Sequence, residues 1–192
     1  TDSGLRMYQT IVSASNGGYF ITGVLRTQNA FSGILVTVDD NGNETAFRSF
    51  HECRFYSSTR IVSSGREQFL AGGKDSTGAV IKLFDADFNL VWSRSLFADN
   101  PGSITRSVIT TDDNHFAICG GMMASPRRGW YCKYSINGEQ EWIHIKENTD
   151  FTDIIQTNDG GFAICGEYPG EDAYHSDGCL IKTDSFGKIS NE

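Results

Sequence analysis

Positive charge is scarce in this chain. Lys and Arg number 16 against 24 Asp and Glu in 192 residues, giving a formal net charge of −8 and a pI near 4.9. A nucleic-acid partner is therefore not expected, because phosphate recognition needs clustered cations. No apolar run approaches the roughly 20 residues of a bilayer-crossing helix, so membrane insertion is not expected either. The chain opens at Thr1 without a charged stretch and an apolar h-region, so secretion is not read from this end, which fits a mature terminus or a cut within a longer chain alike. None of the five cysteines has the CxxC or Cys/His spacing of a zinc site. Prolines number 3, and long stretches with a helical period are few. What remains is glycine (21), phenylalanine (13) and tyrosine (7). That mixture indicates an all-β fold with tight turns.

The strongest pattern is internal repetition. Four short alternating segments share an aromatic anchor and a glycine four positions later: Tyr19 to Gly23, Phe69 to Gly73, Phe116 to Gly120 and Phe162 to Gly166. The anchors lie 50, 47 and 46 residues apart. This divides the chain into repeats of about 1–52, 53–100, 101–146 and 147–192 within a single domain. Each repeat reads as up to four strands. In the second they are Arg60–Ser63, Glu67–Gly73, Val80–Phe84 and Leu90–Ser93. Between them lie turn sequences such as Asn16-Gly17-Gly18, Asp39-Asp40-Asn41-Gly42 and Asn158-Asp159-Gly160-Gly161, rich in residues that tolerate positive φ or cap their own backbone. A four-stranded meander cannot bury both faces alone. Radial packing of such sheets is a β-propeller, and the expectation is four blades with the last incomplete within the chain.

The phrase Ile155-Gln156-Thr157-Asn158-Asp159-Gly160-Gly161-Phe162-Ala163-Ile164-Cys165-Gly166, followed by Leu180-Ile181-Lys182-Thr183-Asp184-Ser185-Phe186-Gly187, resembles a repeat of secreted microbial β-propeller proteins. The resemblance covers the whole chain, more weakly in its first two repeats. It implies a propeller and an extracellular or cell-surface setting, and carries no catalytic residue with it.

After Gly187 only five residues remain, too few for a full fourth strand. Yet the repeat stays in phase through the chain ends. Counted across the join, Gly187 to Val12 is 17 positions, as is Gly138 to Ile155. Several arrangements satisfy this: closure of one ring by a shared strand, a unit of a longer tandem array, a strand lent to the next copy in a head-to-tail polymer, or a two-chain ring of eight blades.

Candidate sites follow. Cys119 with Cys132, and Cys165 with Cys179, could form cross-strand disulfides or remain buried thiols, leaving Cys53 over. Asp39-x-Asn41-x-Asn43 and Asp85-x-Asp87-x-Asn89 resemble the start of a calcium loop but lack its glycine and distal glutamate, and hairpin turns use the same residues. Otherwise no cofactor is expected. Asn43-Glu44-Thr45 is the only N-glycosylation sequon. The loops between second and third strands vary most and share one end of the fold, which makes them the natural binding face. Trp130, Arg127, Arg128, Tyr168, Asp172, Tyr174, His175 and Asp177 are its candidate residues, with the aromatics placed to stack on sugar rings. Loop packing and surface charge account for the same residues without a ligand.

The sequence thus points first to a non-catalytic structural or interaction module of a surface assembly, fibre or adhesin, joined to copies of itself through the incomplete fourth blade. A glycan-binding module using the loop face is the alternative. A glycan hydrolase using Asp172 or Asp177 is least favoured, since no nucleophile or second ligand set accompanies them.

Overall fold

A computed structural model describes residues 4–123, 126–169 and 176–189. Among these residues there is no helix, hence none long and apolar enough to cross a membrane. The described residues form fifteen strands in four antiparallel sheets, and the chain divides into two compact units, Thr1–Pro101 and Gly102–Glu192.

The first unit holds two meanders. Sheet 1 consists of β1 (Leu5–Ser13), β2 (Tyr19–Arg26), β3 (Phe31–Val38) and β4 (Glu44–His51). Sheet 2 consists of β5 (Cys53–Ser63), β6 (Arg66–Asp75), β7 (Gly78–Asp85) and β8 (Leu90–Ser95). In the second unit, sheet 3 contains β9 (Ser103–Thr110), β10 (Phe116–Met122), β11 (Arg128–Tyr134) and β12 (Gln140–Glu147). Sheet 4 contains β13 (Asp150–Gln156), β14 (Phe162–Pro169) and β15 (Ser176–Thr183), with one further bridge from Thr183 to Ile189.

The repeated glycine has a single cause in all four sheets. The first strand of each carries a bulge, between Tyr8 and Thr10, Phe55 and Ser57, Thr105 and Ser107, and Phe151 and Asp153. The bulge bends the strand so that a carbonyl oxygen lies over the glycine opposite. A Cβ at Gly23, Gly73, Gly120 or Gly166 would lie 2.2, 1.8, 2.0 or 2.1 Å from the carbonyl of Met7, Arg54, Ile104 or Asp150.

The turns are as uniform as the strands. Asp39 N–H donates to Asn43 O while Gly42 N–H donates to Asp39 O, and the same pair of hydrogen bonds closes the turns at Ala14, Asp85, Thr111, Ser135, Thr157 and Asp184. This is a three-residue hairpin loop whose last residue needs positive φ. Glycine or asparagine fills that place except at Phe88, which holds φ 63°. Phe88 is buried edge-on against Phe20, with ring centroids 5.7 Å apart, and its carbonyl accepts from Arg48 at 2.8 Å. Tertiary packing thus holds a bulky residue in a conformation it otherwise avoids.

Candidate interaction surfaces

Within each unit, two sheets meet through the same joint. In the first, Phe55 of β5 lies over Gly33 of β3, so close that a Cβ on Gly33 would stand 2.7 Å from the ring. Phe20 stacks on Phe69 at 4.0 Å, and Leu35, Ala71 and Phe84 complete the core. In the second unit, Phe151 lies over Gly129 in the same way, at 2.6 Å from a hypothetical Cβ. Tyr131, Cys119, Ile154, Phe162 and Trp142 surround it. Each joint pairs a glycine on one sheet with an aromatic that leads the next.

The other faces of sheets 1 and 4 each repeat one half of this joint. By bulge register, Tyr8, Ile11 and Tyr19 correspond to Phe151, Ile154 and Phe162. The latter three are buried, whereas Tyr8, Ile11 and Tyr19 are 53%, 58% and 41% exposed. On β15, Gly178 and Leu180 correspond to Gly33 and Leu35. Gly178 has nothing within 4 Å of its Cβ position among the described residues. Leu180 is 76% exposed and Ile155 on the same face 56%, while Leu35 is fully buried. The sequence reading missed this likeness, although a spacing betrays it. Gly33 to Phe55 and Gly129 to Phe151 are each 22 residues, and Gly178 to Tyr8 through the chain ends is also 22.

The cysteines correct an expectation. Cys119 lies opposite Tyr131, and Cys132 opposite Ile118. Their side chains therefore project from opposite faces of sheet 3, because side chains alternate along a strand. Cys165 opposite Leu180 and Cys179 opposite Gly166 differ by one residue in the same way. All five cysteines are free thiols. Burial pushes the thiols of Cys119 and Cys132 far up, which suits inert core positions. Burial also raises Cys53, whose thiol donates to Phe50 O at 3.4 Å.

Of the loop-face candidates, Trp130 also needs correction. It is fully buried within β11, one strand position from Tyr131, and cannot stack on a ligand. Arg127 is exposed, Arg128 is partly buried with its Nε enclosed and unpaired, and Tyr168 faces Asp177 across β14 and β15. Asp172, Tyr174 and His175 lie outside the described residues. Among the described residues no group of acids, histidines and cysteines is placed to hold a metal ion. In the two calcium-like turns the leading carboxylates serve the turn itself. Asp39 accepts from the backbone N–H of Asn43 at 2.8 Å and from its side-chain amide at 3.0 Å, and Asp85 does the same for Asn89. Those bonds from Asn43 hold the Asp39 carboxyl below its ordinary range.

Unit 1 also contains an open cavity of about 680 Å³. Its lining comes from the β2–β3 loop with the first residue of β3 (Asn29, Ala30, Phe31), from the end of β4 to the start of β5 (His51, Glu52, Cys53, Arg54), and from the end of β6 and the turn after it (Lys74, Asp75, Ser76). Two of the variable loops therefore meet in one concavity.

No protein-family model and no curated protein sequence matches the chain. Solved structures do. A Dos1 propeller superposes with a TM-score of 0.63 at 10% identity, covering 95% of this chain and 46% of that one. An endo-arabinase from Bacteroides thetaiotaomicron gives 0.61 at 9% identity, covering 95% and 77%. A Trypanosoma rangeli sialidase in complex with 2,3-difluorosialic acid gives 0.62 at 12% identity, covering 96% and 37%. The fold is of β-propeller type. The chain spans less than half of the first and third of these propellers, and at such identities the likeness concerns the fold alone.

Proposed function

We propose that the chain is a non-catalytic interaction module, a four-bladed propeller unit that joins copies of itself head to tail. The observation that supports this is the pair of outward faces just described. The face of Gly178, Leu180 and Ile155 has the composition and register of the surfaces that receive Phe55 and Phe151. The face of Tyr8, Ile11 and Tyr19 has those of the surfaces that enter them. Docking sheet 1 of one copy on sheet 4 of the next would bury five large apolar side chains. Each contributes about 1.5–3 kcal/mol when fully buried, set against the several kcal/mol that association costs. Such a contact is heterologous, so it propagates into a chain of copies unless it closes. A surface assembly or fibre outside the cell is the setting that the repeat resemblance favours.

Sedimentation velocity across a concentration series tests the reading. Assembly that grows with concentration and is abolished by Leu180→Glu supports it. A strictly monomeric wild type at high micromolar concentration overturns it.

A further inference from the structure

The cavity in unit 1 carries a charge pattern that the head-to-tail contact does not use. Arg54 and Lys74 are directly opposed across β5 and β6. Like charges in that position repel, since opposed Cβ atoms stand roughly 5 Å apart. The Arg54 guanidinium lies over Phe31, 3.8 Å from the ring centroid, and Arg26 approaches the same ring at 5.7 Å. Among the described residues none of these three cations has an acidic partner. The two acids of the lining do not supply one. Asp75 turns one carboxylate oxygen to the N–H and hydroxyl of Thr77, at 2.9 and 2.7 Å. Glu52 sits in the left-handed region at φ 59° and makes no ion pair among the described residues.

The second unit offers an internal comparison. Asp150 occupies the place of Arg54, one residue before the leading phenylalanine, and also faces a like charge, Glu167. There the charge is neutralised from within, because Arg106 grips Asp150 through two bonds of 2.8 and 3.2 Å. The same architectural position is thus closed by an ion pair in one unit and left open and cationic in the other, in a protein of net charge −8. A repulsive pair of which one member, Arg54, is held over an aromatic ring at the mouth of a cavity is a pre-organised receptor for an oxyanion.

We infer that this cavity binds an acidic saccharide, holding its sulfate or carboxylate group between Arg54 and Lys74. The volume falls within the range of small-ligand sites. Asn29, His51 and Ser76 supply donors and acceptors for hydroxyl groups around it. Within the lining, the guanidinium of Arg54 covers one face of Phe31, and Cys53 is buried.

Calorimetric titration of the purified chain at low salt tests this. The probes are a sulfated disaccharide, a uronic-acid disaccharide and their uncharged counterpart. Binding of either acidic sugar is expected, with affinity falling as salt rises, and whichever binds identifies the group recognised. Lys74→Gln should lower affinity at least tenfold while its melting temperature stays level or rises, because the cross-strand repulsion is relieved. Lys74→Arg should restore binding. Equal binding of the uncharged sugar, tighter binding of an acidic hexapeptide, or undiminished affinity in Lys74→Gln would each overturn the assignment. These readouts are independent of self-association, which Leu180→Glu removes without touching the cavity.

Discussion

At the scale of single residues, the repeat is enforced by close approach more than by burial. Gly73 is the tightest case, with a carbonyl oxygen 1.8 Å from where a Cβ would stand. Backbone, not a flexible side chain, occupies that space, so the strand or its bulge would have to move. Gly73→Ala should therefore destabilise the first unit by more than about 2 kcal/mol, at the upper end of overpacking costs. Gly42→Ala, in an open turn with nothing within 4 Å but φ 82°, should cost about 1 kcal/mol through backbone strain alone. Urea unfolding of the two variants separates the effects. The anchor glycines were legible in the sequence, but their cause was not, since the bulge that brings a carbonyl over each of them leaves no residue signature. Phe88 was misleading in the opposite direction. Nothing in Asp85-Ala86-Asp87-Phe88 announces a left-handed residue, and only its packing against Phe20 makes the conformation affordable.

Among the elements, hydrogen bonds and charges link neighbouring sheets at the turn end. Glu67 on β6 accepts from the Ser15 backbone N–H and hydroxyl, both at 2.7 Å, and from Arg60, which also donates to Ser15. Partial burial works against the Glu67 carboxylate, but the bonds from Ser15 and Arg60 outweigh it and hold the group below its ordinary value of 4.5. A depressed carboxylate stabilises the fold fully above its unfolded value and loses that contribution as pH falls through the folded one. Glu67→Gln should accordingly melt below wild type at pH 7, by roughly 1 kcal/mol after allowance for solvent screening. The gap should narrow as pH drops below 4.5 and vanish once both proteins are neutral at this position. Calorimetry from pH 7 to pH 3 checks both halves. Strand order and turn positions were readable from alternation and from Asn, Asp and Gly. Disulfide pairing was not, because Cys119 and Cys132 miss one another by a single position of register, and a one-residue offset moves a side chain to the other face of the sheet. Mass spectrometry after alkylation of the unfolded, unreduced protein should find all five thiols modified.

For the whole molecule, the decisive property of a head-to-tail contact is that its halves are different and can be blocked separately. Tyr8→Glu with Ile11→Glu spoils the entering face and leaves Gly178, Leu180 and Ile155 intact. Leu180→Glu spoils the receiving face and leaves Tyr8, Ile11 and Tyr19 intact. Every substituted side chain is more than half exposed, so neither variant removes core packing and both should fold with near wild-type melting temperatures. Each alone should be monomeric. Mixed in equal amounts they should form one species, a dimer, because each copy retains the surface the other needs and no free pair remains to extend it. A symmetric interface would instead be weakened in both variants and not rescued by mixing. Gly178→Phe adds a steric test, since filling the space that Gly33 and Gly129 leave for an aromatic should abolish the dimer even against an intact entering face. Light scattering on the single variants, the mixture and the Gly178→Phe combination distinguishes these outcomes. Dimer formation confined to the complementary mixture would establish that the 22-residue glycine-to-aromatic spacing continues from one copy into the next.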